Sequence, residues 1–122
     1  MIAVNTDPTD IRPNLISPLR PHVIVLFGAT GDLARRKLLP GLFHLAQAGL
    51  MHDIRILGVA LDDLDDERFR EHVRGALDEF ARRGVPEEEW EQFSKCCFYY
   101  DQDGGPEGLG RTVQMLEDQL GR

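Results

Sequence analysis

The sequence predicts an α/β fold with a Rossmann-like three-layer arrangement, in which helices cover both faces of a partial, doubly wound parallel sheet. Short runs of consecutive apolar residues, typical of strands that are buried on both faces, alternate along the chain with segments whose apolar residues recur at three- and four-residue steps. Glycine and proline separate these segments. The predicted order of elements is β-α-β-α-α-β-α, and 122 residues suffice for one domain.

Composition excludes several classes of protein. Apolar residues make up 42% of the chain and charged residues 29%, which is typical of a globular protein. The net charge of −7 argues against a general nucleic-acid binder. No apolar run is long enough to cross a membrane, and the N-terminus lacks the pattern of a signal peptide, so we expect a cytoplasmic protein with no membrane partner. The adjacent Cys96 and Cys97 have no metal-ligand spacing, and no metal site is predicted.

The first part of the chain divides into an arm and a βαβ unit. Residues 1–21 hold four prolines and no sustained period, which predicts an irregular or disordered arm. Residues 22–122 form the predicted domain, the N-terminal half of a doubly wound fold. Its first strand is the apolar run at 23–27, and a helix over 33–48 follows. Pro40 predicts a kink in that helix around 37–40.

The remaining elements follow from the same patterns. A second strand is predicted at 54–60, and the acidic residues 62–66 can cap a helix over about 65–83, whose apolar residues form a strong amphipathic stripe. A short helix at 86–93 begins with Pro86 and three glutamates. A third strand at 96–100 is followed by a loop at 101–108. Apolar positions from Leu109 to Leu120 mark the last helix.

The turn between the first strand and the first helix carries the chemistry. It reads Gly28-Ala29-Thr30-Gly31-Asp32-Leu33-Ala34. Its first glycine permits a tight turn, and its second lets the backbone approach a phosphate closely, while free N–H groups at the helix start face the anion. The second strand ends in Asp62-Asp63, where such folds place the carboxylate that binds a ribose hydroxyl. The pattern predicts a dinucleotide site. A purely structural turn beside a solvated acidic loop remains the alternative.

Residues 28–40 closely resemble the N-terminal signature of the glucose-6-phosphate dehydrogenases. That signature is Gly-Ala-Ser/Thr-Gly-Asp-Leu-Ala followed by basic residues, an apolar pair and a proline, and the resemblance extends over about residues 22–120. It implies oxidation of glucose 6-phosphate to 6-phosphogluconolactone, with hydride transfer to NAD(P), in the oxidative pentose phosphate pathway. It also accounts for Pro40, because the family signature has a proline there.

The resemblance implies roles for individual residues. Lys37 matches the signature lysine that reaches the active site, and it is the implied substrate-binding residue. Asp32 could instead cap the helix start, and Arg35 and Arg36 could simply be solvated. The implied cofactor-binding residues are Gly28, Ala29, Thr30, Gly31, Asp32, Leu33, Ala34, Arg35 and Asp62.

Two departures from the family pattern bear on function. Where relatives that use NADP have an arginine for the 2′-phosphate, this chain has Leu61 followed by Asp62. A carboxylate there repels a phosphate and accepts hydrogen bonds from a free 2′-hydroxyl, so we expect NAD or dual use over strict NADP. The second departure is that the family's Glu-Lys-Pro-Phe-Gly and Arg-Ile-Asp-His-Tyr-Leu-Gly-Lys motifs do not occur in the sequence.

Because the histidines of the second motif supply the family's general base, no catalytic residue is assigned to this chain. We expect it to supply the cofactor site, to be inactive alone, and to bind glucose 6-phosphate only with the missing C-terminal part. Two alternatives remain open. The chain could be a stand-alone dinucleotide-binding module, or an unstable fragment without function.

Overall fold

Parallel strands and helices alternate along most of the chain in the order that the sequence predicts. The structure, a computed structural model, describes residues 2–4, 22–49 and 53–120. The strands are β1 (Ile2–Val4), β2 (His22–Phe27), β3 (Ile54–Ala60) and β4 (Cys97–Asp101), and the α-helices are α1 (Leu39–Gln47), α2 (Asp66–Phe80), α3 (Glu87–Ser94) and α4 (Gly105–Gln119). None of the helices in these ranges is long and apolar enough to cross a membrane.

The sheet has the order β1-β2-β3-β4. β2, β3 and β4 are parallel, with Ile24 opposite Ile56 and Ile56 opposite Cys97. Their order corresponds to strands 1, 2 and 3 of a doubly wound sheet, in which the fourth strand lies on the free side of the first. Here that position is taken by β1, which pairs antiparallel with β2.

The strand β1 corrects the prediction for the arm. Ile2–Val4 is a strand of three residues, and not irregular, because it completes the hydrogen bonding of the β2 edge. A strand of three residues is too short to show the alternation of apolar and polar residues by which strands are recognised in a sequence. The rest of the predicted arm lies outside the described residues.

Helices cover the sheet on both faces, which confirms the three-layer prediction. The larger cluster of buried side chains joins one face of the sheet to α1, α2 and α3, and it includes the completely buried Phe69 and Leu77 of α2. On the other face, Leu116 of α4 packs with Leu57 and Val59 of β3. The apolar runs of β2 and β3 are continuous because each strand contributes side chains to both clusters.

The first helix is irregular where the sequence predicts a kink. A π-helical turn spans Ala34–Leu38, and the Leu39 N–H donates to the Ala34 carbonyl five residues earlier. α1 then starts with Pro40 in its first turn. Proline has no N–H to donate and its ring disfavours a regular turn before it, so the irregularity lies ahead of Pro40. The predicted segment, 37–40, overlaps this π-helical turn at residues 37 and 38 and begins three residues after the turn does.

The helix boundaries shift by a few residues from those predicted. Asp65 caps α2 as expected from the acidic turn, since its Oδ1 accepts from the Arg68 N–H at 2.7 Å. α4 begins at Gly105, inside the segment predicted to be a loop. Pro106 fits the first turn of a helix, and the Tyr100 hydroxyl donates to the Gly105 carbonyl at 2.7 Å. This bond, between residues five positions apart, fixes a helix start that the spacing of apolar residues does not show.

Gly58 lies where β3, α2 and the turn after β2 meet. A Cβ atom added there would be 2.8 Å from Cε1 of Phe69 and 2.9 Å from the Cβ of Ala29. Both neighbours are completely buried. The missing side chain therefore allows the helix and the turn to approach the strand closely.

Candidate functional site

The turn after β2 is fastened to the end of β3 by backbone hydrogen bonds. Gly28 has a φ of +70°, a conformation that favours glycine. The Gly28 and Ala29 N–H groups donate to the Val59 carbonyl at 2.8 and 3.2 Å, and the Gly31 N–H donates to the Gly28 carbonyl at 2.9 Å. The turn is thus held at the carboxyl edge of the sheet, where doubly wound folds bind their ligands.

Three donors in this turn remain available. The N–H groups of Thr30, Asp32 and Leu33 have no acceptor among the residues that the structure describes. They lie at the start of a helical segment, where the unpaired N–H groups and the helix dipole favour an anion. The resemblance implies cofactor contacts throughout residues 28–35, but the N–H groups of Gly28, Ala29, Gly31 and Arg35 are already used inside the protein.

Asp62 lies against this turn. Its Oδ1 accepts a hydrogen bond from the Thr30 hydroxyl at 2.9 Å, although the two residues are 32 positions apart. The sequence left open whether Asp62 caps the following helix, and the structure gives that role to Asp65. The predicted phosphate turn and the predicted ribose carboxylate are therefore brought together.

Tyr99 is a supporting residue that the sequence did not reveal. Its hydroxyl donates to the Asp62 carbonyl at 2.7 Å, and its ring packs on Phe69 with the centroids 5.2 Å apart. Burial, with the nearby Asp62 carboxylate, raises the pKa of Tyr99 to about 12, so the hydroxyl stays protonated and remains a donor. In the sequence, Tyr99 is simply one aromatic residue of a strand.

The charged residues beside the turn are paired within the protein. The Asp32 carboxylate accepts from Nε of Arg36 at 2.8 Å, one helical turn away, and does not cap the helix. This bond raises the pKa of Arg36. The Arg35 guanidinium forms an ion pair with Glu79 of α2 and lies 5.4 Å from the centroid of the Phe80 ring. Ala34 is buried, as expected for the small residue that lets helix and strand touch.

Lys37 faces a different part of the surface. It is exposed, and it lines a cavity between α1 and the end of α2. The described residues that line this cavity include none of 28–34 and not Asp62. Lys37 thus follows the turn in the sequence, but it lines a cavity to which the turn and Asp62 do not contribute.

His72 of α2 is a further titratable group close to the site. Its Nε2 atom is buried and has no hydrogen-bond partner among the described residues. Burial, with help from the positive charge of Arg35, lowers the pKa of His72, and Asp62 opposes this. The imidazole is therefore held neutral next to the turn.

The described part of the chain contains no group of three or more His, Cys, Asp or Glu residues placed to hold a metal ion. Cys96 and Cys97 are free thiols, and Cys97 is completely buried. Burial raises the pKa of the Cys97 thiol, which makes it a poor nucleophile. The site can therefore hold an anion and a hydroxyl group, and it shows no reactive group of its own.

Comparison with known proteins connects this arrangement to one family. Residues 25–120 match the family model described as glucose-6-phosphate dehydrogenase, NAD binding domain. The glucose-6-phosphate 1-dehydrogenase of Chlamydia pneumoniae is 34% identical over 106 residues, which cover 83% of this chain and 21% of that enzyme. The enzyme of Dickeya dadantii is 39% identical over 98 residues, which cover 79% of this chain and 20% of that enzyme.

A solved structure gives the same result. A glucose-6-phosphate dehydrogenase in complex with its substrate glucose-6-phosphate superimposes with a TM-score of 0.66 and 28% identity, over 80% of this chain and 21% of that one. The 122 residues thus span about one fifth of the length of the relatives they match.

Proposed function

Since this chain belongs to the glucose-6-phosphate dehydrogenase family, an oxidoreductase family, we propose that it supplies the cofactor-binding part of an enzyme that oxidises glucose 6-phosphate to 6-phosphogluconolactone. Hydride would pass to NAD or NADP. Lys37 would contact the sugar phosphate once the rest of the enzyme is present. The cytoplasmic location and the absence of a nucleic-acid partner stay predictions.

The hydrogen bond between Thr30 and Asp62 carries this proposal. It fixes a carboxylate beside a turn in which the N–H groups of Thr30, Asp32 and Leu33 are free, and a dinucleotide requires this pairing of groups. A structural turn beside a solvated acid does not need this contact. The fit supports a dinucleotide on residues 28–35 and Asp62.

Each part of the proposed site has a separate task. The free N–H groups of Thr30, Asp32 and Leu33 would hold the pyrophosphate, and Asp62 would accept a hydrogen bond from a ribose hydroxyl. The large exposed side chains of Leu33 and Leu61 flank these groups, and a bound nucleotide would cover them. The C1 hydroxyl proton of the sugar must pass to a base, which we expect outside these 122 residues.

Binding and turnover assays on the 122-residue chain test the proposal. We expect NAD or NADP to bind, as measured by calorimetry. When glucose 6-phosphate is added, we expect no rise in the absorbance of reduced cofactor near 340 nm. Folding is checked first, by a cooperative thermal melt. A folded chain that binds neither cofactor would reject the proposed site, and turnover would show that the base lies within these residues.

We further propose that the site prefers NAD. The position of the family arginine is taken by Leu61, whose side chain is 68% exposed and carries no charge. The Asp62 carboxylate next to it would repel a 2′-phosphate. The Arg35 guanidinium does not offset this repulsion, because it is paired with Glu79.

The substitution Asp62→Asn measures this preference. Asparagine keeps the acceptor for the Thr30 hydroxyl and removes the negative charge. The parent chain should bind NAD about tenfold more tightly than NADP, and the variant should lose most of this difference, mainly by binding NADP better. The dissociation constants of both cofactors, measured for parent and variant, give the ratio of NADP to NAD affinity.

Asp63→Asn is the matched control, because Asp63 is an exposed neighbour with the same charge and no hydrogen bond to the turn. It should leave the ratio unchanged. The preference is refuted if the parent binds NADP tenfold more tightly than NAD, or if Asp63→Asn changes the ratio as much as Asp62→Asn does.

A further inference from the structure

The two outer strands of the sheet differ in how their backbone groups are covered. β4 lies at one side of the sheet and β1 at the other. The side of β4 that faces away from β3 is covered by side chains of α2. The Asp66 carboxylate accepts from the Tyr99 N–H at 2.8 Å, and Nε of Arg70 donates to the Cys97 carbonyl at 2.9 Å.

These two hydrogen bonds make β4 a poor acceptor for a further strand. The backbone groups of neighbouring residues in a strand face opposite sides, and the Cys96 carbonyl faces β3, where it accepts from the Ile56 N–H at 2.7 Å. Cys97 and Tyr99 therefore face outward, and a strand that arrived there would have to displace both α2 side chains. Such protection of a sheet edge prevents association through that edge.

The β2 side of the sheet is covered by a strand of a different kind. β1 has three residues whereas β2 has six, and β1 runs antiparallel to β2 beside three parallel strands. It pairs with the middle of β2, from Ile24 to Leu26. On its other side, β2 pairs in parallel with β3 over all six residues. In a doubly wound sheet the position of β1 is taken by the fourth parallel strand.

We propose that β1 is an exchangeable strand, and that the edge of β2 is the surface on which the chain accepts a parallel strand from a partner polypeptide. A parallel strand could pair along all six residues of β2, whereas β1 pairs with three. The incoming strand would be apolar on both faces, because Ile24 and Leu26 belong to one buried cluster and Val23 to the other.

The source of this strand and the exchange of β1 are separate parts of the proposal. In the proposed enzyme the strand would come from the part of the protein beyond these 122 residues, and this source rests on the proposed function. The exchange of β1 rests on the sheet alone and does not depend on dinucleotide binding. Until a partner binds, β1 would keep the edge of β2 from pairing with other strands.

An integral edge strand makes a different prediction. Such a strand would open only when the sheet opens, whereas an exchangeable strand opens while β2 and β3 stay paired. Hydrogen exchange of the 122-residue chain separates the two cases. We expect the amides of residues 2–4 to exchange at least about a hundredfold faster than those of residues 55–59 in β3. Equal protection of the two strands would overturn the proposal.

A second experiment adds a partner strand directly. The probe is a synthetic peptide with a Val-Val-Ile-Val run between lysines and a nitroxide label at its N-terminus. In NMR spectra of the 122-residue chain, the broadening by the label should be strongest at residues 22–24, because a parallel strand begins where β2 begins. Broadening that is strongest at residues 27–29, as for an antiparallel peptide, or in β4 would contradict the proposal.

The double variant Ala3→Pro with Val4→Pro should bind this peptide at least about tenfold more tightly than the parent, because β1 no longer competes for β2. Proline cannot donate a ladder hydrogen bond, and one of two neighbouring residues must face β2. Thr9→Pro with Asn14→Pro is the matched control, since both positions lie between β1 and β2 in the sequence. It should bind the peptide like the parent.

A thermal melt shows whether each variant is folded, and calorimetry with NAD keeps this test separate from that of the dinucleotide site. Equal affinity of the two double variants for the peptide, or no binding by the folded Ala3→Pro with Val4→Pro chain, would refute the exchange of β1. If that chain does not fold, hydrogen exchange of the parent decides.

Discussion

A Gly58→Val variant should lose about 3 kcal/mol or more of its free energy of unfolding. The new side chain would overlap the ring of Phe69 and the methyl group of Ala29, which are both completely buried. Neither can move away freely, because Phe69 is anchored in α2 and the Ala29 N–H is bonded to Val59 of the same strand. The helix or the turn must therefore separate from the sheet.

Urea denaturation followed by circular dichroism measures this loss, and the melting temperature should fall by more than about 10 °C. Gly75→Ala is the control, since Gly75 lies in α2, is exposed, and would place its new Cβ in open space. It should raise the stability by about 0.5–1 kcal/mol, because alanine is the better helix former. A Gly58→Val chain that unfolds at the parent's midpoint would contradict the close packing of Phe69 and Ala29 on Gly58.

The layers of the fold could be predicted because they depend on long-range patterns of apolar residues. The continuous runs of β2 and β3 require helices on both faces, and the stripe of α2 shows which of its sides is buried. The pattern of apolar residues does not explain Gly58. In the sequence it interrupts a strand, and only the ring of Phe69 above it explains why a side chain is excluded there.

The details that escaped prediction depend on contacts that a local pattern of residue types does not show. Ile2–Val4 becomes a strand because the edge of β2 offers unpaired groups, which no property of three residues reveals. The start of α4 is fixed by the Tyr100 hydroxyl. Pro40 correctly indicated an irregular helix, but a proline does not specify which preceding turn absorbs the missing hydrogen bond.

The candidate site was predicted in outline. The position of Asp62 at the end of the second predicted strand indicates that it lies near the turn, because parallel strands end at one edge of the sheet, and the Thr30 hydroxyl gives that proximity a specific contact. The pairing of Arg35 with Glu79 could not be foreseen, because it depends on where the end of α2 lies. The cavity that Lys37 lines likewise depends on where the end of α2 lies, because Phe80 and Arg83 line it too.

Gly31→Val should weaken dinucleotide binding at least about thirtyfold, which corresponds to about 2 kcal/mol. A Cβ at Gly31 would lie 3.1 Å from the Gly28 carbonyl oxygen, so the turn must shift to admit it. The branched side chain would also fill the space in front of the free N–H groups of Thr30 and Asp32, where the pyrophosphate is proposed to lie.

The effect on folding should be much smaller than that of Gly58→Val, because Gly31 is exposed while Gly58 is buried. Calorimetry with NAD and a thermal melt separate the two quantities. Gly110→Val is the matched control, since Gly110 is an exposed position of α4 with open space around it, on the opposite face of the sheet from α1 and α2. It should leave the affinity for NAD unchanged. If Gly31→Val binds NAD as tightly as this control does, the turn is not the phosphate site, because no phosphate could approach the backbone past a valine side chain.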